Sequence, residues 1–174
     1  MALTRNSLKA VVILTALTGL TACSGNDRFG GLGGSGGLNS GADIGLGDVG
    51  DPASPAYFEQ VVGDRVLFEV DQSNLTDEAR RILASQAAWL ADNPGFSILI
   101  EGHADERGTT EYNIALGARR AAAVQEYLFS QGVALSRMQT VSFGKERPIE
   151  ICSDEICYAQ NRRGVTVLRA GLGV

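Results

Sequence analysis

The sequence of residues 55–174 predicts a layered α/β domain, with helices packed on one face of a four-stranded mixed sheet. Short apolar runs typical of strands alternate with longer stretches in which apolar residues recur at helical spacing, in the order β-α-β-α-β-α-β. Helices between strands require crossover connections, which place those helices over the sheet. A hydrophobic N-terminus and a glycine-rich segment precede the domain and differ from it in composition.

Residues 1–22 are predicted to be a lipoprotein signal peptide. Arg5 and Lys9 form a positive region, residues 11–20 are apolar, and residues 20–23 read Leu-Thr-Ala-Cys, the box at which lipoprotein precursors are cleaved. About a dozen apolar residues are fewer than the roughly 20 that a spanning helix needs. We therefore expect a lipidated Cys23 that anchors the mature chain to a membrane. An ordinary secretory signal that ends near a cysteine is the alternative.

Residues 23–54 are predicted to be the lipidated cysteine and a flexible tether. Eleven glycines lie between Gly25 and Gly50, with few apolar residues among them, so this segment cannot bury enough surface to offset its conformational entropy. A flexible chain of about 30 residues spans roughly 30 Å on average and about 100 Å when stretched. The alternative is a glycine-rich loop that packs on the domain.

The first half of the domain contains two predicted strands and a helix. Residues 65–70 are predicted to form a strand, and Thr76 followed by two acidic residues is typical of a helix start. Asn93-Pro94-Gly95 ends this helix. Residues 97–101 contain Ile-Leu-Ile, a run typical of a strand covered on both faces. The apolar stripe of the helix consists of Ala79, Ile82, Leu83, Ala87 and Leu90.

The second half of the domain contains a long helix, a strand, a shorter helix and a last strand. Thr109 or Thr110 caps the long helix, which we expect to end near Ser130, before Gln131-Gly132. The remaining elements are predicted at residues 138–143, 154–163 and 165–169.

The charge of the mature chain excludes some ligand classes. Removing the signal deletes two of the 15 basic residues and none of the 20 acidic residues, which leaves a formal net charge of −7. Long-range attraction to nucleic acid or to an anionic lipid surface is therefore not expected. An anionic ligand must instead be recognised in a shaped site where a few cations meet particular carboxylates.

The segment from Glu101 to Ala121 carries the most specific motif. It reads EGHADERG at residues 101–108 and continues with Asn113 and with LGARRA at residues 116–121. Helical spacing places Asn113, Leu116 and Arg120 on one face, and the Arg120 side chain leans back toward the loop that contains Asp105. A carboxylate and a guanidinium so arranged suit a zwitterionic ligand.

This motif resembles the D-x-x-G-x-x-x-x-N-x-x-L-x-x-x-R-A signature of OmpA-like peptidoglycan-binding domains, and it is closer still to the peptidoglycan-associated lipoproteins within that family. The resemblance implies that the ligand is peptidoglycan, recognised through meso-diaminopimelate of the stem peptide. Asp105 would accept hydrogen bonds from the ammonium group, and Arg120 would bind the carboxylate in a bidentate pair. The further predicted contacts are Asp71, His103, Arg107, Asn113, Leu116 and Arg162.

Two of these contacts have simpler interpretations that stay open at this point. Asn113 could bond only to the loop backbone, and Leu116 could be an ordinary core residue.

Catalysis by His103 is not expected, because no G-x-S-x-G elbow, activated cysteine or second histidine accompanies it. Asp105 and Glu106 are adjacent, whereas glycosidases place their two acids on opposite sides of the scissile bond.

Cys152 and Cys157 are close enough in sequence to form a small disulfide-closed loop in an oxidising compartment. Two free thiols are the alternative, and a zinc site is disfavoured because the chain has one histidine and no second cysteine pair of this kind. The usual version of this loop in the family lacks both cysteines.

The resemblance implies a non-catalytic outer-membrane lipoprotein, without a cofactor, whose domain lies in the periplasm. It would tie the outer membrane to peptidoglycan and work with the Tol system in cell division, with the propeller protein TolB and other Tol proteins as partners. Ser24 after the lipidated cysteine fits the outer membrane by the same resemblance. The alternatives are another OmpA-like lipoprotein that anchors a secretion or envelope complex, and a peptidoglycan hydrolase. A stator of the MotB kind is disfavoured, since its domain follows a spanning helix.

Overall fold

The computed structural model describes residues 45–170. The predicted signal peptide, the lipidated Cys23 and the predicted tether up to residue 44 lie outside the described residues, as do residues 171–174. Among the helices of the described part, none is both long enough and apolar enough to cross a membrane.

The described part contains four α-helices, four strands and two short helices of other types. In chain order they are α1 (Pro55–Tyr57), a π-helix (Phe58–Gly63), β1 (Arg65–Leu67), α2 (Asp77–Asp92), β2 (Phe96–His103), α3 (Thr110–Ser130), a 3-10 helix (Leu135–Arg137), β3 (Met138–Gly144), α4 (Glu155–Asn161) and β4 (Arg163–Ala170).

The four strands form one mixed sheet with the order β1-β4-β2-β3. β4 pairs antiparallel with both β1 and β2, and β2 pairs parallel with β3. The predicted fold class, helices packed on a four-stranded mixed sheet, is therefore confirmed. Because β1 and β2 run in the same direction, their C-terminal ends lie at the same end of the sheet, and the loops that follow them are neighbours.

Helices α2 and α3 cover one face of the sheet. Leu83 and Leu90 of α2 and Val124 of α3 join Ile98 and Ile100 of β2 in the buried core. Leu99, between these two isoleucines, is only half-buried, because the two helices cover the face opposite its side chain. The expectation that β2 is covered on both faces is therefore wrong.

Helix α3 approaches the sheet closely enough to need glycine at the contact. A Cβ atom at Gly102 of β2 would lie 1.9 Å from the carbonyl oxygen of Gly117 in α3. No side chain fits there, so backbone packs on backbone. This contact fixes the position of α3 relative to the loop that follows β2.

Two element boundaries differ from the prediction. β1 ends at Leu67 rather than Val70, because the chain turns out of the sheet and Asp71 adopts the left-handed conformation with φ of 56°. The helix predicted at residues 154–163 is shorter: Asp154 caps it from outside, and Arg163 already belongs to β4. The short helices at residues 55–63 and 135–137 carry no pattern that predicted them.

The end of the predicted tether packs on the domain. The indole Nε1 of Trp89 donates a 2.7 Å hydrogen bond to the carbonyl of Pro52, and Ala56 N donates to the carbonyl of Leu46 at 2.7 Å. Trp89 is buried, so its indole N–H needs such a partner. The packed part of the chain therefore begins before residue 55, where the sequence placed the start of the domain.

Candidate functional site

The candidate site is a cavity of about 270 Å³ at the end of the sheet where β1 and β2 terminate. Three segments surround it: the loop after β1, the loop after β2 and the first turns of α3. The residues that line it are Val70, Asp71, Asp105, Arg107, Gly108, Tyr112, Asn113, Leu116 and Arg120. Six of the eight predicted ligand contacts are among them, whereas His103 and Arg162 are not.

Asp105 is buried beside two arginines. Its Oδ2 accepts hydrogen bonds from Arg107 Nη2 at 2.7 Å and from Arg162 Nη1 at 3.2 Å, and its Oδ1 accepts from the backbone N–H of Arg107 at 3.2 Å. Burial by itself raises the pKa of Asp105, but the hydrogen bonds from Arg107 and Arg162 outweigh it and leave the pKa below its ordinary value. Asp105 is therefore ionised at neutral pH, and its charge is already compensated.

Arg162 lies behind Asp105 rather than in the cavity wall. Its Nε donates to the carbonyl of Phe68 at 3.1 Å, and its Nη2 donates to Glu155 Oε1 at 2.5 Å. It thereby joins the residue that follows β1, the loop after β2 and the start of α4. This geometry makes Arg162 a support for Asp105 instead of a group that a ligand reaches from the cavity.

Arg120 is fully buried, and its bonds within the described residues go to backbone carbonyls. Its Nε, Nη1 and Nη2 donate to the carbonyls of Gln72, His103 and Glu69 at 2.8, 2.7 and 3.2 Å. Burial lowers its pKa to about 10, which still leaves it cationic at neutral pH. A guanidinium has five N–H donors, so two remain after these three bonds. Arg120 therefore holds the two loops together and keeps part of its donor capacity for a ligand.

Asn113 and Leu116 shape the cavity from helix α3. Asn113 Nδ2 donates to the carbonyl of Arg107 at 2.8 Å, which fixes the loop after β2 against the helix. Leu116 is buried, 5% exposed, and forms an apolar part of the wall. The simpler interpretation of Asn113, a bond to the loop backbone, describes its contact in the structure.

The side chain of Tyr112 lines the cavity, although the sequence analysis predicted no ligand contact for it. Its hydroxyl donates a hydrogen bond to the carboxylate of Asp71 and so bridges α3 to the loop after β1. This bond raises the pKa of Tyr112 above its ordinary value. The spacing of Tyr112, Leu116 and Arg120, four residues apart on one helical face, was the available signal.

Asp71 differs from Asp105 in its electrostatic environment. Within residues 45–170 it forms no ion pair, and its partner is the neutral phenol of Tyr112. Its left-handed backbone aims the side chain across the cavity toward α3. Asp71 therefore carries a carboxylate of the cavity wall that forms no direct ion pair within the described residues.

The side chain of His103 does not line the cavity, and its role as a ligand contact stays a prediction. The ring is 1% exposed and its centroid lies 5.5 Å from that of Phe143. Neither ring nitrogen forms a hydrogen bond among residues 45–170, although Glu101 Oε2 lies 3.4 Å from Nε2. Burial, with smaller effects of Arg163 and Arg147, lowers the pKa of His103 to about 4. Only its backbone carbonyl contributes to the site, through Arg120.

The cavity suits a ligand that carries both signs of charge. Among the lining residues, Asp71 offers a carboxylate without a direct ion pair, while Arg107 and the remaining N–H groups of Arg120 offer cations. The lining residues include no serine, cysteine or histidine that could serve as a nucleophile or base. The low pKa of Asp105 makes it unsuited to act as a general acid near neutral pH.

A larger cavity of about 470 Å³ lies next to β1, α2 and α4. Its wall combines the apolar side chains of Leu67, Phe68 and Ile82 with a rim of charged residues. It lacks Asp71, Asp105 and Arg120, so size alone does not select the site. The smaller cavity is where the groups of the predicted motif converge.

Comparisons with known proteins show which family the chain resembles. The model of the OmpA family matches residues 67–162. The peptidoglycan-associated lipoprotein of Agrobacterium fabrum is 46% identical over 91% of this chain and 86% of that protein, and that of Rhizobium meliloti is 53% identical over 75% and 74%.

Solved structures give the same picture of the fold. The crystal structure of the peptidoglycan-associated lipoprotein from Burkholderia pseudomallei is 40% identical, with a TM-score of 0.62, and covers 70% of this chain and 98% of that one. The C-terminal domain of Helicobacter pylori MotB, at 19% identity and a TM-score of 0.58, covers 63% of this chain and 86% of its own. This second likeness concerns the fold alone.

Proposed function

Because this chain belongs to the OmpA family, we propose that it is a non-catalytic lipoprotein that binds peptidoglycan through the diaminopimelate of the stem peptide. The observation that carries the proposal is the cavity whose wall brings Asp71 and Asp105 together with Arg107 and Arg120. The distal end of meso-diaminopimelate bears an ammonium and a carboxylate on one carbon. A cavity with both signs of charge complements that end of the molecule.

The ammonium is proposed to bind between Asp71 and Asp105. Oδ1 of Asp105 accepts only one hydrogen bond within the described residues, so it retains a site for a further donor. Asp71 has a neutral partner that a cation can displace, since a charge-assisted hydrogen bond is about twice as strong as a neutral one. This arrangement gives Asp71 a larger share of the ammonium than the sequence motif alone suggested.

The carboxylate is proposed to bind Arg107 and the two remaining N–H groups of Arg120. Arg107 is about half exposed, with its guanidinium 4.7 Å from the ring centroid of Tyr158, so it can turn toward a ligand. Arg120 is fixed by its three carbonyl bonds and loses little side-chain entropy on binding. One adaptable and one preorganised cation would thus meet the same anion.

We propose that lipidation of Cys23 anchors the chain to the outer membrane and that a flexible tether connects this anchor to the domain in the periplasm. A tether of about 20 to 30 residues can reach from the membrane surface to a polymer layer some nanometres away. The protein would then tie the outer membrane to the cell wall as part of the Tol–Pal system in cell division. TolB and other Tol proteins are the proposed partners, and a surface shared with the polymer would make them compete with peptidoglycan.

Sedimentation with purified sacculi tests the proposal. We would compare the mature chain carrying Cys23→Ser with its Asp71→Asn and Asp105→Asn forms, and with Asp92→Asn as a control at an exposed acid on α2. Both cavity variants should lose most of their pelleting, because each removes a charge that the ammonium meets, whereas Asp92→Asn should pellet like the parent. Equal pelleting of all four proteins would contradict the assignment of the cavity.

The same incubation separates a binding protein from a hydrolase. We expect no soluble muropeptides to be released, and release by the parent protein would contradict the non-catalytic assignment.

A further inference from the structure

Arg119 is an exposed cation beside the candidate site, and the proposed function has not yet used it. Its guanidinium forms no ion pair within residues 45–170. The residues three and four positions away on helix α3 are Ala115, Leu116, Ala122 and Ala123, so no acidic side chain faces it along the helix. The charge of Arg119 is therefore available to a ligand.

Helix geometry brings the Arg119 guanidinium to the cavity. Arg119 follows Tyr112 by seven residues, almost two turns of α3, so the two residues lie on one stripe of the helix about 10 Å apart along its axis. Long side chains lean toward the N-terminus of a helix, which is the end of α3 that borders the cavity. Arg119 Cζ accordingly lies 6.0 Å from the centroid of the Tyr112 ring.

The Tyr112 ring marks the place where the cavity opens to solvent. Tyr112 lines the cavity and is 45% exposed, and we refer to this part of the wall as the entrance. The hydrogen bond to Asp71 raises the pKa of Tyr112, and Arg119 lowers it with a smaller effect, which fits a cation close to the phenol. Arg119 thus places a positive charge at the entrance.

Arg119 and its neighbour Arg120 occupy different positions around the cavity. Consecutive residues of a helix point about 100° apart. Arg120 points into the domain, where three of its nitrogens donate to backbone carbonyls, whereas Arg119 is exposed. The carboxylate at the distal end of diaminopimelate is assigned to Arg107 and Arg120. Arg119 therefore offers a separate cation to a second anionic group.

The stem peptide carries such anionic groups next to diaminopimelate. The preceding D-glutamate is joined through its γ-carboxyl group, so its α-carboxylate is free. The other group is the carboxylate that ends the peptide. When the distal end of diaminopimelate occupies the cavity, both groups belong to the peptide backbone that remains outside. An exposed guanidinium at the entrance complements a carboxylate in that position.

We propose that Arg119 forms a second anion subsite at the entrance, which binds a carboxylate of the stem-peptide backbone while the distal end of diaminopimelate occupies the cavity. This inference rests on the proposed function and adds a residue that distinguishes stem peptides by the charge of their backbone. Amidation replaces a carboxylate by a neutral carboxamide and removes the ion pair. The protein is then expected to bind a stem peptide amidated at this group more weakly than an unmodified one.

Isothermal titration calorimetry with synthetic stem peptides and the mature chain carrying Cys23→Ser tests the subsite. The probes are L-alanyl-γ-D-glutamyl-meso-diaminopimelate, the same tripeptide with D-isoglutamine in place of D-glutamate, and the tripeptide amidated at the carboxyl group to which a further residue would be joined. Arg119→Gln should bind the unmodified tripeptide about threefold to fivefold more weakly than the parent, as expected for a well-formed exposed ion pair. It should bind one of the amidated forms like the parent, and that form identifies the carboxylate.

Arg169→Gln is the matched control. Arg169 is also exposed and forms no ion pair within the described residues, but it lies at the other end of the sheet, opposite Ser97 at the start of β2. Interactions between exposed charges are largely screened beyond about 8 Å at physiological ionic strength. This variant should therefore bind all three peptides like the parent.

The outcomes separate the subsite from the proposed function. Equal binding of the unmodified tripeptide by Arg119→Gln and the parent would overturn the subsite and leave the proposed function intact. A loss of equal size for all three peptides, or the same loss in Arg169→Gln, would also overturn it, because neither carboxylate would then be involved specifically. Failure of the parent to bind any of the peptides would instead refute the diaminopimelate cavity, and with it the subsite.

Discussion

Replacing Arg120 with methionine should destabilise the domain strongly. The substitution keeps most of the apolar volume but removes hydrogen bonds to the carbonyls of Gln72, His103 and Glu69. The Glu69 carbonyl keeps a hydrogen bond from the backbone N–H of Gln72. The carbonyls of Gln72 and His103 therefore lose the charged donor that Arg120 provides. At roughly 1.5 to 3 kcal/mol for each of these two bonds, we expect the free energy of unfolding to fall by about 3 to 6 kcal/mol.

Urea denaturation followed by circular dichroism measures this change, with Arg119→Met as the control. Arg119 is adjacent in sequence but exposed, with its guanidinium 6.0 Å from the Tyr112 ring centroid, so its loss should cost less than about 1 kcal/mol. Equal stability of the two variants would refute the structural role of Arg120. The expectation also means that weakened peptidoglycan binding by an Arg120 variant must be interpreted together with its stability.

Two further predictions concern groups outside the cavity. The pKa of His103 is near 6.5 in the unfolded chain and about 4 in the folded chain. As the pH falls from 6.5 toward 4, the unfolded chain binds a proton at His103 before the folded chain does, so the free energy of unfolding falls. Between pH 7 and pH 4 the free energy of unfolding should fall by about 3 kcal/mol because of His103, and His103→Phe should abolish this fall. Urea denaturation at the two pH values measures it, and a variant with the same pH profile as the parent would contradict the prediction. Cys152→Ser/Cys157→Ser should lower the free energy of unfolding by about 2 kcal/mol, with the parent protein under reducing conditions losing the same amount. Retention of full stability by both would contradict a native disulfide.

The sequence predicted the architecture well because its patterns are periodic. The first long helix begins at the predicted cap Thr76, and the second begins at Thr109, one of the two caps that the sequence offered. A hydroxyl acceptor before an amphipathic run is a strong local signal. β1 was predicted too long because Val70 is apolar and nothing in the pattern reveals that Asp71 adopts a left-handed conformation. The pattern of apolar residues indicates which positions are buried. The residue at which a chain leaves a sheet depends instead on individual backbone angles.

The candidate site was predicted in its residues but less well in its bonds. Helical spacing placed Asn113, Leu116 and Arg120 on the cavity wall, as the structure has them. Spacing does not tell whether a guanidinium meets a carboxylate or carbonyl groups, and Arg120 uses three nitrogens on carbonyls. The side chain of His103 lies outside the cavity wall for a related reason, since successive strand residues point to opposite faces and the bulge between Gly102 and His103 alters that alternation.

A crystal structure of the mature chain with meso-diaminopimelate bound tests the central claim most directly. We predict the ammonium between the carboxylates of Asp71 and Asp105, with the Tyr112 hydroxyl displaced from Asp71, and the carboxylate on Arg107 and Arg120. A cavity without the diamino acid at saturating concentration, with the bond between Tyr112 and Asp71 intact, would contradict the account.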